Sequence, residues 1–511
     1  MINVLEMLER SAELYPGDIA FSDPSGKITF SQLNIRARWV GTLFISGAKT
    51  SKVQTGDGVA FFMEKSVDAL VAMFGTVYAG GFYSFIDVRQ TKDRIRSIIT
   101  TLEPRIIITD EANASNLPEE YEVDDRHIIL IGDLMDIAKN TMADDMALDA
   151  VRSSFTDNMP LYVNFTSGST GTPKGVVVGH KSVIDFIKVF TRTFDIKHED
   201  ILANQAPFDF DVSVKDIYSG LYTGAHVALI PREYFTNPTT LMDYLCDTKV
   251  TTLIWAVSAM CFVSIMNGFS YKTPDTIKTV MFSGEVMPIK QLNKWKAALP
   301  AAMYVNLYGP TEITCNCTYF ILDREYEKGD VIPIGIPFAN EKVFLLDENN
   351  NEVTMTDVEG EICVSGTCLA LGYFKDAEKT NKSFVQNPLN DRFTEMIYRT
   401  GDLGKYDNEG NLVYTSRKDF QIKHMGQRIE LGDIENTAMT IDGIERVCCM
   451  YDHKHQKILL FVCGKIEKEA LQDTLKEKLP PFMMPNKTVI LNTFPLNKNG
   501  KIDRNALMEH A

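Results

Sequence analysis

The chain has 511 residues, 45% of them hydrophobic and 23% charged, which is the composition of an ordinary globular protein. Its length exceeds the roughly 250 to 300 residues at which a single core stops growing, so we expect at least two domains. The formal net charge is −16 and no Lys/Arg-rich block occurs, which argues against nucleic acid as a partner. The nine cysteines form no paired CxxC framework, which is typical of reduced cysteines in a cytoplasmic protein.

The first predicted element is a helix close to the N-terminus. Glu6, Glu9 and Arg10 interrupt its apolar pattern, so we interpret it as an amphipathic helix rather than a signal peptide. The longest uncharged run, Ala69–Ile86, approaches the length of a membrane span, but glycines such as Gly80 break it into a helix, a turn and a strand. We expect this run to be buried core; membrane insertion is the alternative.

Short apolar runs alternate with helical stretches over the larger part of the chain. Gly58–Phe62, Arg105–Thr109 and Thr251–Trp255 are predicted strands, and Ser66–Ala79 and Pro288–Leu299 are predicted helices. This alternation predicts α/β layers with largely buried strands.

The pattern changes from Glu359 onward. Short strands and turns such as Asp407–Gly410 predict a smaller β-rich subdomain. A polar junction, Arg417–Asp419, then precedes a final succession of strand, helix, strand and helix. We therefore predict an α/β protein with a large multi-subdomain lobe, residues 1–416, and a small α+β lid domain, residues 417–511.

A loop rich in Ser, Thr and Gly, Thr166–Gly175, follows the apolar run Leu161–Phe165. Its backbone amides can close on anionic oxygens and Lys174 adds a positive charge, so a phosphate is the natural ligand. The loop is not a Walker A motif, because Pro173 stands where that pattern needs glycine and Gly175 follows the lysine. A flexible linker of the same composition is the alternative.

Seven further segments, together with this loop, resemble the motifs of the adenylate-forming enzymes in both residues and order. The segments are Ala79–Asp87, Asn306–Glu312, Gly360–Ile362, Tyr398–Asp402, Arg417–Lys423, Gly426–Glu430 and Asn499–Arg504. The superfamily includes acyl-CoA synthetases, adenylation domains of nonribosomal peptide synthetases and D-alanine:carrier protein ligases. The resemblance spans nearly the whole chain and implies a ligase that activates a carboxylic acid with ATP and loads it onto a thiol.

The resemblance implies which residues hold ATP and Mg²⁺. Tyr308 would stack on adenine, Asp402 would accept the ribose hydroxyls with help from Arg417, and Glu312 would bind Mg²⁺. Lys501 would stabilise the negative charge that develops on the phosphoryl oxygens. The implied ATP-binding set is Thr166, Ser167, Gly168, Ser169, Thr170, Gly171, Thr172, Lys174, Asn306, Leu307, Tyr308, Gly309, Asp402, Arg417 and Lys501. The implied catalytic residues are Lys501, Glu312 and Thr311, and the implied metal ligands are Glu312 and Thr170.

Each of these motifs has a simpler interpretation when it is considered alone. Tyr308–Thr311 would be a Gly-Pro turn, Asp402 would be a cap or turn residue, and Lys501 would be an exposed charge.

The same resemblance implies a substrate pocket. Asp211 aligns with the aspartate that binds the α-amine in amino-acid-activating members, and a buried carboxylate needs such a cation. Asp209 is the competing candidate. Lys215 either enters the pocket, where it would pair with an acidic side chain such as that of Glu or Asp, or extends to solvent. The implied substrate-binding set is Asp211, Val212, Lys215, Ala256, Met281, Ser283, Gly284, Leu307, Cys315 and Asn316.

The family's hinge falls at Asp419, which implies that the lid domain rotates between two half-reactions. Lys501 would close the site for adenylation. The loop at Gly426 would then shape a tunnel for the pantetheine thiol of a carrier protein. Because the sequence holds no Gly-Gly-x-Ser phosphopantetheine site, we expect the carrier to act in trans.

Three alternatives stay open. The resemblance is strongest to the D-alanine:carrier protein ligases of cell-wall D-alanylation. Those enzymes carry a cysteine in the helix after the Trp255 strand, but the aligned residue here is Ile265, with Cys261 one turn earlier, and this departure argues against D-alanine. An acyl-CoA synthetase would release a soluble thioester, and Asp211 argues against it. A non-catalytic nucleotide-binding scaffold would have lost Lys501 or Glu312, and both are present.

Overall fold

The computed structural model describes residues 1–121, 127–166, 173–418, 421–452, 454–495, 502 and 504–508. These residues form strands and α-helices that we number in chain order. The strands are β1 (Ile19–Asp23), β2 (Gly26–Thr29), β3 (Gly58–Phe62), β4 (Phe82–Phe85), β5 (Ile106–Thr109), β6 (Ile128–Leu130), β7 (Pro160–Thr166), β8 (Lys174–Gly179), β9 (Ile201–Asn204), β10 (His226–Leu229), β11 (Thr252–Ala256), β12 (Thr279–Ser283), β13 (Met303–Tyr308), β14 (Thr318–Ile321), β15 (Ile336–Pro337), β16 (Glu341–Leu346), β17 (Glu352–Val353), β18 (Gly360–Gly366), β19 (Gly372–Tyr373), β20 (Phe384–Gln386), β21 (Met396–Tyr406), β22 (Leu412–Arg417), β23 (Gln421–His424), β24 (Gln427–Glu430), β25 (Ile444–Asp452), β26 (Lys457–Gly464) and β27 (Lys487–Leu491). The α-helices are α1 (Leu5–Leu14), α2 (Phe30–Ser46), α3 (Val67–Tyr78), α4 (Lys92–Leu102), α5 (Ile131–Lys139), α6 (Asp145–Ser153), α7 (His180–Thr193), α8 (Val212–Thr223), α9 (Pro238–Asp247), α10 (Val257–Ile265), α11 (Gly268–Tyr271), α12 (Ile289–Ala298), α13 (Ala377–Ser383), α14 (Leu431–Met439), α15 (Lys468–Lys478) and α16 (Arg504–Met508).

Two large mixed sheets form most of the N-terminal part. One has nine strands in the order β15-β14-β13-β12-β11-β9-β10-β1-β2, and the other has seven in the order β19-β8-β7-β4-β3-β5-β6. In the first sheet, β10, β9, β11, β12 and β13 pair in parallel, so their carboxyl ends meet at one edge. Open α/β sheets bind ligands at this edge, which makes it the natural place for a site.

The buried elements follow the local sequence pattern. β3 coincides with the predicted strand Gly58–Phe62, and all five of its residues are buried. The predicted helix Ser66–Ala79 is α3, whose first turn is capped because the Ser66 hydroxyl accepts a hydrogen bond from the backbone N–H of Ala69. A turn at Gly80 (φ 81°) then leads into β4, so the predicted helix, turn and strand are confirmed as core. No helix among the described residues is both long and apolar enough to traverse a bilayer.

A third sheet forms the predicted β-rich subdomain. Its order is β17-β16-β18-β21-β20, with β22 paired to β21. It begins with β16 at Glu341, which is earlier in the chain than the predicted change of pattern at Glu359. The turn between β21 and β22 contains Gly410 at φ 81°, and the Asp407 carboxylate accepts hydrogen bonds from the N–H groups of Glu409 and Asn411, as the turn residues predicted.

The C-terminal part is small and has its own apolar core, which includes Ile429, Ile434, Leu460 and Leu471. Its order is hairpin, helix, hairpin, helix, strand and helix, from β23 to α16. The prediction of strand, helix, strand, helix was therefore wrong in detail, because each of the two predicted strands is a hairpin and a further strand, β27, precedes the last helix. The predicted hinge, Asp419, lies outside the described residues, and the domain boundary at 416/417 stays a prediction.

Candidate active site

A cavity lies where the carboxyl ends of β12 and β13 and the N-terminus of α8 meet the β21–β22 pair and the β23–β24 hairpin. Most of the residues that line it belong to the predicted nucleotide or substrate sets. The lining comprises Phe210, Asp211, Val212, Ser283, Gly284, Gly309, Pro310, Thr311, Cys315, Asn316, Asp402, Arg417, Gln421, Lys423, Gly426 and Arg428. Residues that are far apart in sequence thus share one surface.

Three residues predicted to hold the nucleoside are in direct contact. Tyr308 donates its hydroxyl proton to Oδ2 of Asp402 at 2.5 Å, and Nη1 of Arg417 donates to Oδ1 at 2.5 Å. Asp402 and Arg417 are register partners across β21 and β22, so strand pairing positions this ion pair. An ionised carboxylate has about four acceptor sites, so two such bonds leave Asp402 able to accept from further hydroxyls.

The segment after β13 brings other predicted residues to the cavity by close backbone packing. A Cβ atom on Gly309 would lie 2.6 Å from the Cα of Asn316, so only glycine fits here. Thr311 opens a short 3-10 turn and lines the cavity. Asn306 instead donates through Nδ2 to the Pro333 carbonyl at 2.8 Å, and Leu307 is buried in the largest core cluster.

The two ends of the predicted phosphate loop are described. Thr166 and Lys174 are register partners across β7 and β8, so the loop closes a hairpin. The loop residues Ser167, Gly168, Ser169, Thr170, Gly171 and Thr172 lie outside the described residues, as does Lys501. Burial, reinforced by the nearby charge of Arg428, lowers the pKa of the Lys174 ammonium to about 8.

Glu312, the predicted Mg²⁺ ligand, is fully buried and surrounded by donors. Its carboxylate accepts from Lys174 Nζ at 3.3 Å, from Tyr373 Oη at 2.8 Å and from Arg428 Nη1 at 2.7 and 3.0 Å. Burial alone would raise the pKa of Glu312, but the charges of Arg428 and Lys174 outweigh it and hold that pKa well below its usual range. The group is therefore ionised, which suits a hard divalent cation.

Two partners of Glu312 were not predicted as site residues. Tyr373 lies outside every quoted motif, whereas Arg428, on β24, lies within the quoted motif Gly426–Glu430, and that motif was the available signal. Lys423, from the motif before it, lines the cavity half-buried, and burial lowers the pKa of its ammonium. The cavity is thus richer in positive charge than the sequence predicted.

The tip of the β23–β24 hairpin docks on the nine-stranded sheet. Gly426 has φ 78°, and its N–H donates to Oε1 of Glu285 at 3.0 Å. A Cβ atom at this position would lie 3.2 Å from Oγ of Ser258 and 3.7 Å from Cβ of Ala256, the predicted pocket residue at the end of β11. The hairpin therefore covers this end of the cavity.

Asp211 immediately precedes α8 and lines the cavity, although it is only 6% exposed. Burial raises the pKa of its carboxyl group, while a hydrogen bond with Thr311 and the charge of Lys215 act in the opposite direction. No lysine or arginine among the described residues forms an ion pair with Asp211. The competitor Asp209 does not line the cavity; burial and the charge of Asp87 raise its pKa to about 7.

Lys215 is 0% exposed, so the alternative in which it extends to solvent is wrong. Its Nζ donates to Oδ1 of Asn316 at 2.6 Å. Asn316 follows Thr314 (φ 55°) and Cys315 (φ 78°), two consecutive non-glycine residues in the left-handed region, and Cys315 Sγ donates to the Asp211 carbonyl at 2.9 Å. Such strain persists only where surrounding contacts enforce it, and here it brings the loop against α8.

The remaining predicted pocket residues fall into two groups. Val212, Ser283 and Gly284 line the cavity, whereas Met281 is buried in the largest core cluster. Ile265 ends α10 and is 57% exposed, so it is not part of the cavity lining. The identity of this residue therefore carries no information about the shape of the cavity.

Comparisons with known proteins were made at the level of family, sequence and fold. The family described as AMP-binding enzyme matches residues 8–374, and the AMP-binding enzyme C-terminal domain matches residues 433–501. Tyrocidine synthase 3 of Brevibacillus parabrevis is 31% identical over 510 residues, which are 98% of this chain and 8% of that protein. Across eight curated relatives, the chain spans 8 to 45% of their length.

Solved structures share the fold. Holo-PA1221, an NRPS protein containing adenylation and PCP domains bound to a vinylsulfonamide inhibitor, has a TM-score of 0.80 at 23% identity, covering 100% of this chain and 84% of that one. The o-succinylbenzoate CoA synthetase MenE from Bacillus subtilis has a TM-score of 0.83 at 19% identity, covering 100% and 98%. At these identities the likeness establishes the fold alone.

Proposed function

The chain belongs to the AMP-binding enzyme family of adenylate-forming ligases, and we propose that it activates an amino acid with ATP and transfers it to the phosphopantetheine thiol of a carrier protein in trans. The observation that supports an amino acid as the substrate is the position of Asp211. This buried carboxylate faces the cavity without a described cationic partner, and the α-ammonium group of an amino acid would supply one. A fatty or aryl acid would leave Asp211 unpaired.

In the first half-reaction, a carboxylate oxygen of the amino acid attacks the α-phosphorus of ATP, and the bond to the pyrophosphate oxygen breaks. Tyr308, Asp402 and Arg417 would hold the adenosine. Lys174 and the glycine-rich loop would hold phosphate oxygens, with Lys501 as the predicted catalytic lysine. Mg²⁺, for which the ionised Glu312 is a suitable ligand, would neutralise charge on the phosphate oxygens when bound.

In the second half-reaction, the thiol loses its proton to solvent and its sulfur attacks the carbonyl carbon of the adenylate. A thioester forms, and the bond from the acyl carbon to the phosphate oxygen breaks, so AMP leaves with the electron pair. The β23–β24 hairpin supports this step, because its tip at Gly426 borders the cavity. The PCP domain that accompanies adenylation in PA1221 supports a carrier protein as the acceptor.

The test is ATP–pyrophosphate exchange driven by D- and L-amino acids, with benzoate and octanoate as non-amino acids. We expect exchange with an amino acid, followed by thioester formation on a holo-carrier protein. Asp211→Asn should raise the KM of that amino acid about tenfold or more, because a charge-assisted contact is lost. Asp209→Asn is the matched control and should leave this KM nearly unchanged.

The outcomes separate the alternatives. Exchange with D-alanine alone would identify a D-alanine:carrier protein ligase. Exchange only with the non-amino acids, followed by transfer to free coenzyme A, would replace the proposal with an acyl-CoA synthetase. A folded protein that exchanges with no acid at all would support the scaffold alternative.

A further inference from the structure

Building on the proposed function, we infer that the amino acid carries a side-chain carboxylate, which Lys215 and Asn316 recognise. Asn316 lines the cavity from the loop after β13, whereas Lys215, in the first turn of α8, is not part of the lining and contacts Asn316. Their contact joins a buried ammonium group to a side chain that lines the cavity.

Lys215 is a buried cation whose charge is not paired. Its single hydrogen bond to a described residue goes to the neutral Oδ1 of Asn316, and it forms no ion pair with any described carboxylate. Asp216, next to it in sequence, accepts from Asn204 through Oδ2, and its Oδ1 has no hydrogen-bond partner among the described residues. Because an unpaired buried ammonium is costly, a ligand carboxylate is the natural partner.

The lysine also fixes the orientation of the Asn316 amide. An ammonium group can only donate, so Oδ1 of Asn316 must face Lys215 and Nδ2 must point away from it. Among the described residues, Nδ2 of Asn316 has no acceptor. The cavity wall therefore offers an N–H donor backed by a positive charge.

A third donor belongs to the same neighbourhood. The hydroxyl of Tyr162, a fully buried residue of β7, has no hydrogen-bond partner among the described residues. Asp211 and Cys315 lie close enough to influence its pKa, which burial raises well above the usual value. A carboxylate only accepts hydrogen bonds, so it matches the donors of Asn316 and Tyr162 that lack a described acceptor.

The balance of charge leads to the same class of substrate. Without substrate, the carboxylates of Asp211 and Asp216 partly offset the charge of Lys215, and Asp211 is the one of these two that lines the cavity. Once the α-ammonium group of an amino acid pairs with Asp211, Lys215 loses part of this compensation, and a second carboxylate on the substrate would restore it. Aspartate and glutamate, of either chirality, supply it, whereas alanine does not.

The experiment measures kcat/KM for pyrophosphate exchange with each acid and its amide: aspartate against asparagine, and glutamate against glutamine, in both chiralities, with D- and L-alanine included. Wild type should favour an acid over its amide by about tenfold or more, because a charged hydrogen bond is lost in the amide. Lys215→Met should lower this acid-to-amide ratio by about tenfold or more, because the charge that favours the acid is removed. The ratio is measured on one preparation, so a partly folded variant does not distort it.

Two further variants sharpen the test. Asn316→Asp gives Lys215 a protein carboxylate and removes the N–H donor, so the preference for the acid should disappear. Lys188→Met removes an exposed lysine of α7 and should leave the ratio unchanged. If alanine or an amide is the best substrate of wild type, the inference falls while the proposed function stands. If only non-amino acids support exchange, both fall.

Discussion

Glu312 and Lys174 illustrate how single residues acquire their chemistry from neighbours that are distant in sequence. The partners of Glu312 come from β8, β19 and the β23–β24 hairpin, and together they keep its carboxylate ionised in a buried position. The same crowding weakens the positive charge of Lys174, because burial and Arg428 both disfavour a second cation. The two residues should therefore titrate as parts of one cluster.

We predict that Lys174 makes ATP use sensitive to alkaline pH. Its pKa is lowered to about 8, so the ammonium group is present below that pH and is lost above it. We expect kcat/KM for ATP to fall as the pH rises through about 8, since this parameter reports the free enzyme. Arg428→Met should move the fall to higher pH by removing a neighbouring positive charge. A fall at the same pH in both proteins would contradict this assignment.

We expect Arg428 and Mg²⁺ to compete for the Glu312 carboxylate. Both oxygens of Glu312 accept from the Arg428 guanidinium when the hairpin is docked, so a metal ion must displace that contact. We expect Arg428→Met to lower the Mg²⁺ concentration that gives half-maximal exchange by several-fold. Arg399→Met, which breaks the Arg399–Glu361 pair on β21 and β18, is the matched control and should not change it. An unchanged or higher Mg²⁺ requirement in Arg428→Met would refute the competition.

The site residues that could be predicted from the sequence are those that lie within a local motif. Asp402, Arg417 and Tyr308 were predicted as one group, and Tyr308 and Arg417 both contact Asp402. Tyr373 and Arg428 were not predicted, because their contacts with Glu312 arise from packing between distant elements. No spacing within the sequence encodes such contacts.

At the scale of secondary structure, the prediction was correct where the pattern of apolar residues and a capping residue indicate the same helix. α3 has a Ser66 cap and a continuous apolar pattern, and its ends lie within one residue of the prediction. In the C-terminal part, the β23–β24 and β25–β26 hairpins were each predicted as a single strand. The turn between β23 and β24 places Met425 at φ 54° before Gly426, and methionine is not a turn residue, so the local signal was weak.

The β23–β24 hairpin should serve thioester formation more than adenylation. Gly426→Ala introduces a methyl group at φ 78° that faces Ser258, so it should weaken docking of the hairpin. Gly410→Ala is the matched control: φ is 81°, but nothing lies within 4 Å of the added atom. Both should cost about 1 kcal/mol through backbone strain. Only Gly426→Ala should lower the ratio of thioester formation to pyrophosphate exchange; equal ratios in both variants would argue against a role in transfer.

At the scale of the whole molecule, the cavity depends on how the two large sheets are held together. The general architecture followed from the alternation of strands and helices, but the contacts between the sheets could not be predicted. Lys65, just after β3 of the seven-stranded sheet, donates to the backbone carbonyls of Asn204, Gln205 and Ala206 and to Oδ1 of Asn204, at 2.8 to 3.2 Å. These acceptors lie at the end of β9, in the nine-stranded sheet.

Lys65→Met should loosen this junction. The substitution keeps the apolar stem but leaves buried carbonyl oxygens without a donor, which costs about 1–3 kcal/mol. We expect the free energy of unfolding to fall by that amount, measured as a shift of the urea midpoint at constant slope. Lys382→Met is the matched control, because Lys382 forms an exposed pair with Glu378 on α13 and should change stability by less than about 0.5 kcal/mol. If both variants unfold at the wild-type midpoint, Lys65 does not hold the sheets together. If Lys65→Met unfolds earlier and also raises the KM of the amino acid, the junction contributes to the shape of the cavity as well as to stability.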